Sequence, residues 1–180
     1  MGQLKIGIIL GSTRQGRVSP QVGDYVKQIA DQRGDASYEI VDIAEYQLPF
    51  LGEGTGEEPG LTAWPARLAT LDGFVFIVQE YNHSITGALK NALDLARVEW
   101  NHKAAGIVSY GSTGGARAAE HLRGILGELL VADVRAHPTF SSFTDFENFS
   151  TFKPAELHIA KVNAMLDEVV KWSIALKTIR

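Results

Sequence analysis

Three apolar runs do most to constrain how this chain can fold: Ile6–Leu10, Gly73–Val78 (GFVFIV) and Ala104–Ser109 (AAGIVS). None alternates polar with apolar residues. As strands they would be buried on both faces, which requires helices above and below a parallel sheet. Each run is followed by a polar loop, and each loop by apolar residues at helical spacing: Val18, Val22, Tyr25, Val26 and Ile29 after the first, Ile85, Leu89, Ala92, Leu93 and Ala96 after the second.

The pattern extends along the whole chain. Strands are expected at 4–10, 38–43, 73–78, 104–109 and 131–134, and helices at 18–32, 61–71, 84–96, 114–130 and 154–179. Residues 45–60, rich in glycine, proline and glutamate, read as a surface loop, and 140–152 as an irregular aromatic stretch. Strand–helix alternation with right-handed crossovers predicts an α/β, flavodoxin-like three-layer fold. Its five-stranded parallel sheet has the order 2-1-3-4-5, with helices on both faces. A length of 180 residues and an apolar fraction of 45 % suit one domain spanning 1–180. The net charge of −4 gives no reason to expect a nucleic acid or an anionic membrane as partner. The chain has no cysteine, so thiolate metal sites, disulfides and cysteine nucleophiles are excluded. The first apolar run is too short for a signal sequence, and none spans a bilayer, so a cytoplasmic location is expected.

In that sheet order the loops after strands one, three and four converge at the switch point between strands one and three, where ligands bind. The first loop reads Gly11-Ser12-Thr13-Arg14-Gln15-Gly16-Arg17-Val18-Ser19. Its hydroxyls and amides at a helix start form an anion site. Ser and Thr also occur there as ordinary caps, but two arginines at the positive end of a helix dipole are unfavourable without an anion. The loop lacks the Gly-Lys-Ser/Thr ending of a nucleotide P-loop and the Gly-x-Gly-x-x-Gly of a dinucleotide fold, which leaves a monophosphate cradle. The second loop, Gln79-Glu80-Tyr81-Asn82-His83-Ser84, offers Tyr81 to cover a flat ring and Asn82 to exchange hydrogen bonds; the alternative is a helix-entry turn capped by Ser84 or Asn82. The third, Tyr110-Gly111-Ser112-Thr113-Gly114-Gly115-Ala116, has glycines that allow close backbone approach, or forms a tight turn capped by Ser or Thr. Together the loops suit a phosphorylated planar ring such as FMN.

With the motifs GSTRQGRVS, QEYNHSITGALKNALD and SYGSTGGARA in this order, the sequence resembles the NADPH-dependent FMN reductases of the flavodoxin-like superfamily, over about residues 4–134. That family includes quinone, azo-dye and chromate reductases. The resemblance implies that Ser12, Arg14, Arg17 and Ser19, with the backbone of Gln15 and Val18, hold the FMN phosphate. Glu80, Tyr81 and Asn82 would lie along the ring, and Gly111, Ser112, Thr113, Gly114 and Gly115 at its pyrimidine edge. Many members carry Ser and Asn where this chain has Arg17 and Ser19, and proline where it has Gln79. The resemblance implies hydride transfer from NAD(P)H to flavin N5 and on to a small acceptor (free flavin, quinone, azo dye or metal oxyanion). No catalytic side chain is needed for this. It also implies a homodimer or homotetramer.

Other residues invite different readings. His83, His102, His121, His137 and His158 lack metal-ligand spacing, so no metal is expected. Asp42 and Glu45 could bind a ribose, but without the glycine fingerprint they read as caps or solvent-facing residues. Phenylalanines recur at 140, 143, 146, 149 and 152, a spacing that favours packing over an acceptor wall or a subunit surface. Residues 99–103 (Glu-Trp-Asn-His-Lys) are candidates for a subunit contact. A non-enzymatic flavodoxin-like electron carrier, or a domain for another phosphorylated ligand, is the competing reading.

Overall fold

The computed structural model describes residues 3–180. Its strands β1 (Lys5–Leu10), β2 (Ser37–Asp42), β3 (Gly73–Gln79), β4 (Ala104–Gly111) and β5 (Ala132–Asp133) form a parallel sheet in the expected order, β2-β1-β3-β4-β5. The helices are α1 (Ser19–Asp31), α2 (Pro59–Ala69), α3 (Gly87–Asp94), α4 (Ala116–Glu128) and α5 (Leu157–Leu176). No helix among the described residues is long and apolar enough to cross a membrane.

Burial on both faces has the cause inferred from the strands. Ile6, Ile8 and Leu10 of β1 pack with Val22 and Val26 of α1 and with Val162 and Met165 of α5. Ile9, on the opposite face, joins Phe74 and Phe76 of β3, Trp64 of α2, Leu89 of α3 and Leu122 of α4. Trp100 and Lys103, read above as part of a possible subunit surface, lie in this second layer, 0 % and 5 % exposed. Lys103 Nζ donates to the Leu68 carbonyl at 2.7 Å and sits 5.4 Å from the Phe74 ring centroid.

The fifth strand position departs from expectation. After pairing Ala104↔Ala132 and Ala105↔Asp133, the chain leaves the sheet and returns as β6 (Thr139–Ser141), paired Ser109↔Thr139 to Gly111↔Ser141. Between those pairings the outer strand holds two residues more than β4, and the detour contains Pro138, which has no amide N–H to donate. Phe140, expected in irregular chain, is therefore a sheet residue and fully buried.

The rest of the aromatic stretch is a hairpin, β7 (Phe146–Glu147) and β8 (Thr151–Phe152), turning through Asn148 and Phe149 at positive φ. Phe140, Phe146 and Phe152 pack inward on one another, with Tyr25 and Tyr110 beside them. Phe143 and Phe149 stay outside, 67 % and 65 % exposed, edge to face at 5.7 Å. Gln21 of α1 holds the hairpin, donating to Ser150 O at 2.9 Å and accepting from Phe152 N at 2.8 Å. Behind it the buried pair His158–Asp145 closes at 2.9 Å.

Candidate functional site

The loops after β1, β3 and β4 meet, as the sheet order requires. Arg14, Arg17 and Val18 from the first, Glu80 and Tyr81 from the second and Gly111 from the third line one cavity of about 150 Å³. Gln79, Tyr110, Ser142, Phe146 and Phe149 complete its wall. Ser12 and Ser19 are buried behind the first loop, and Gly114 and Gly115 inside the third. Gln15, Asn82, Ser112 and Thr113 are exposed beside the cavity and not on its wall. A larger hollow of about 480 Å³ lies across the first loop; Thr13, Ile43, Phe50 and Asn91 are on its wall, and no ionisable side chain is.

The capping alternatives considered for these loops do not hold. Neither α1 nor α4 has a side-chain N-cap; their N-caps are Val18 and Gly115. The terminal amides of both helices therefore lack the usual side-chain acceptor. Helix α3 begins later than expected, because Tyr81–Ser84 close a tight turn with mutual backbone bonds of 3.0 and 2.9 Å. Asn82 and His83 both take positive φ there, which leaves Thr86 to cap α3 by accepting from Leu89 N. Thr86 Oγ1 also donates to Gly11 O at 2.6 Å, tying α3 to the first loop.

The two arginines of the first loop differ. Arg14 is exposed, with no carboxylate within ion-pair distance among the described residues. Arg17 is ion-paired with Asp42 at the end of β2 and donates to Ser12 O at 2.7 Å. Asp42 also caps the following 3-10 turn, accepting from Ala44 N at 3.0 Å. Gly16 takes φ +68° in the turn between the arginines, where an added Cβ would meet nothing.

In the second loop the Glu80 side chain is 5 % exposed and held by Arg117 of α4, whose Nε donates to Oε1 at 2.6 Å. Glu80 N donates to Tyr110 O at 3.0 Å. Gln79 bridges all three loops, donating to Ser12 Oγ at 2.6 Å and accepting from Tyr110 OH at 2.9 Å. Burial pushes the Tyr110 hydroxyl well above its ordinary value, so it stays protonated and donates. Among the described residues, two buried polar atoms here have no partner, Ser19 Oγ and Glu80 Oε2. Buried polar atoms are normally paired, which sets these two apart from the rest of the site. In the third loop Gly115, at φ +74°, lies so close to Tyr110 that a Cβ would sit 2.7 Å from its amide nitrogen.

Tyr110 and Arg117 have site contacts that the loops' sequence does not signal, and the aromatic wall is the alternative to pure packing for the phenylalanines. Both polar residues lie within the third motif, and of the phenylalanines Phe146 and Phe149 are the two on the cavity wall.

Known proteins resemble this chain in sequence and in fold. Residues 4–145 match the family model for NADPH-dependent FMN reductase. An NAD(P)H-dependent FMN reductase of Schizosaccharomyces pombe is 34 % identical over 148 residues, covering 78 % of this chain and 72 % of that protein. A quinone reductase of Escherichia coli (strain K12) is 34 % identical over 135 residues, 69 % and 70 % of the two chains. Among solved structures, the flavoenzyme NAD(P)H:(acceptor) oxidoreductase of Paracoccus denitrificans shares the fold with a TM-score of 0.74, at 18 % identity over 96 % of this chain and 98 % of that one.

Proposed function

The chain belongs to the NADPH-dependent FMN reductase family and is an NAD(P)H-dependent flavin oxidoreductase with FMN as cofactor, and on that premise we propose that the three-loop cavity is where FMN is held. The observation that carries the reading is the meeting, at one cavity, of Arg14, exposed and without an ion-pair partner among the described residues, and the start of α1 at Val18, which has no side-chain cap. The residues present fit the group. Ser19 Oγ supplies an unspent hydroxyl on the phosphate side, and Glu80 Oε2 an unspent acceptor on the ring side.

In this reading Arg14 is the cation that meets the phosphate, joined by Ser12, Ser19 and the amides of Gln15 and Val18. Arg17, on the same wall, acts chiefly on the loop: its pair with Asp42 and its bond to Ser12 O hold the loop in shape. Glu80, Tyr81 and Asn82 lie along the ring, with Arg117 fixing Glu80. Gly111, Ser112, Thr113, Gly114 and Gly115 bring the positive end of α4 to the other edge, where it stabilises negative charge. When bound, FMN supplies the redox chemistry between NAD(P)H and a small-molecule acceptor. The protein's part is to position the reactants and to shape the field around them, and it needs no acid, base or nucleophile of its own.

We assign quinones as the acceptor class, and a cytoplasmic site of action where NAD(P)H is found. A homodimer or homotetramer is part of the same reading. It is supported by exposed Leu51, Val98 and Leu130, which line one hollow beside α3. Steady-state NADPH oxidation by FMN-loaded protein with a benzoquinone tests the activity. Turnover is expected, whereas no turnover with any acceptor would leave the electron-carrier alternative. Sedimentation of the holoprotein as a monomer would remove the oligomer.

A further inference from the structure

Gln79, 6 % exposed, joins the ends of β1, β3 and β4 through its side chain. Its carboxamide has two directions. The oxygen accepts from the Tyr110 hydroxyl at 2.9 Å, and the nitrogen donates to Ser12 Oγ at 2.6 Å. A serine hydroxyl has a single proton and two lone pairs. With one lone pair occupied by Gln79, the Ser12 proton points elsewhere, and it meets no protein acceptor among the described residues. The same serine's carbonyl is held by Arg17, so the residue is fixed at both ends.

We propose that Gln79 is a positioning residue for anion recognition: it turns the Ser12 hydroxyl into a dedicated donor aimed at the phosphate of the bound flavin nucleotide. This rests on the phosphate site proposed above. The polarity of the relay runs from Tyr110 through Gln79 to Ser12. Tyr110 commits its single hydroxyl proton to Gln79 Oε1 at 2.9 Å, which makes it the donor at the start of the chain. Reversing the amide would consume the Ser12 proton on Gln79 and leave a lone pair facing the anion.

The test compares FMN with riboflavin, which has the same ring and no phosphate, by fluorescence titration of the apoprotein. The wild type should prefer FMN. Gln79→Met, equal in length but without the amide, should weaken FMN by about 10-fold or more, the loss of a bond to a charged group, with riboflavin nearly unchanged. Gln79→Glu should weaken FMN at least as much, since its carboxylate accepts the Ser12 proton and faces the phosphate. Ser12→Ala reaches the same hydroxyl without touching β3, so the prediction stays testable if a Gln79 variant does not fold. Combined with Gln79→Met it should add little further loss, because both changes remove one interaction. An FMN-to-riboflavin preference unchanged in Gln79→Met or in Ser12→Ala overturns the relay. Equal binding of FMN and riboflavin by the wild type overturns the phosphate site itself, and the relay with it.

Discussion

The first loop holds two arginines that the sequence presents as equivalents and the structure separates. Replacing each in turn should produce different losses. Arg14→Ala removes an exposed cation with no ion-pair partner among the described residues, so folding stability should change by no more than about 0.5 kcal/mol. FMN affinity should fall by about 1.5–3 kcal/mol, roughly 10- to 150-fold, the range for a hydrogen bond to a charged group. Arg17→Met should do the reverse. The Arg17 and Asp42 side chains are 18 % and 12 % exposed, between a surface pair and a buried one. Exposed pairs contribute about 0–1 kcal/mol, and breaking a buried pair costs about 3–5. With the lost bond to Ser12 O, the loss should be about 2–3 kcal/mol, or a Tm lower by about 4–12 °C for a chain this long. Urea denaturation of the apoprotein and FMN titration of the same preparations measure both quantities. Adding Asp42→Asn to Arg17→Met should recover part of the stability, because the unpaired charge goes with it. An Arg17→Met protein that folds as stably as wild type yet loses FMN as severely as Arg14→Ala would refute the division of labour.

Lys103 gives a pH test. Burial, with Arg180 nearby, pushes its ammonium down to about 8 from 10.5. The unfolded chain then holds more protons between pH 8 and 10.5, so this group's contribution makes stability rise across that window, by about 2–3 kcal/mol in total. Lys103→Met should flatten that rise in urea melts taken at each pH, since Leu68 O keeps its bond from Leu71 N. Gly115→Ala should destabilise by about 2 kcal/mol or more, because φ is +74° and the new Cβ meets Tyr110 backbone at 2.7 and 2.9 Å. It should also weaken FMN, and a thermal midpoint within a degree of wild type would contradict the crowding. Phe149→Ala removes an exposed ring from the cavity wall. Its melting should be unchanged, and its KM for an aromatic quinone should rise several-fold while that for ferricyanide does not.

What was legible in the chain, and what was not, follows from the range of the interactions involved. Strands buried on both faces leave one reading of their pattern, so the sheet order and the meeting of three loops could be inferred without coordinates. The start of α3 could not, since Asn82 and His83 are taken up by a left-handed turn and Thr86 acts as cap while reaching back to Gly11. The fifth strand was read only as far as its interruption, because a two-residue excess opposite β4 has no local signature. The spacing of three between phenylalanines is likewise uniform in sequence, yet Phe140 and Phe146 are buried while Phe143 and Phe149 are exposed, a division set by β6, the turn after it and the β7–β8 hairpin. Arg17 is the sharpest case. Its nearness to a loop of hydroxyls marks it as a phosphate ligand, whereas its charge is already met by Asp42, 25 residues on. That partner reaches the first loop because β2 lies beside β1. Sheet order therefore decides which of the loop's charges meets a protein carboxylate, and on the proposed reading the other, Arg14, meets the ligand.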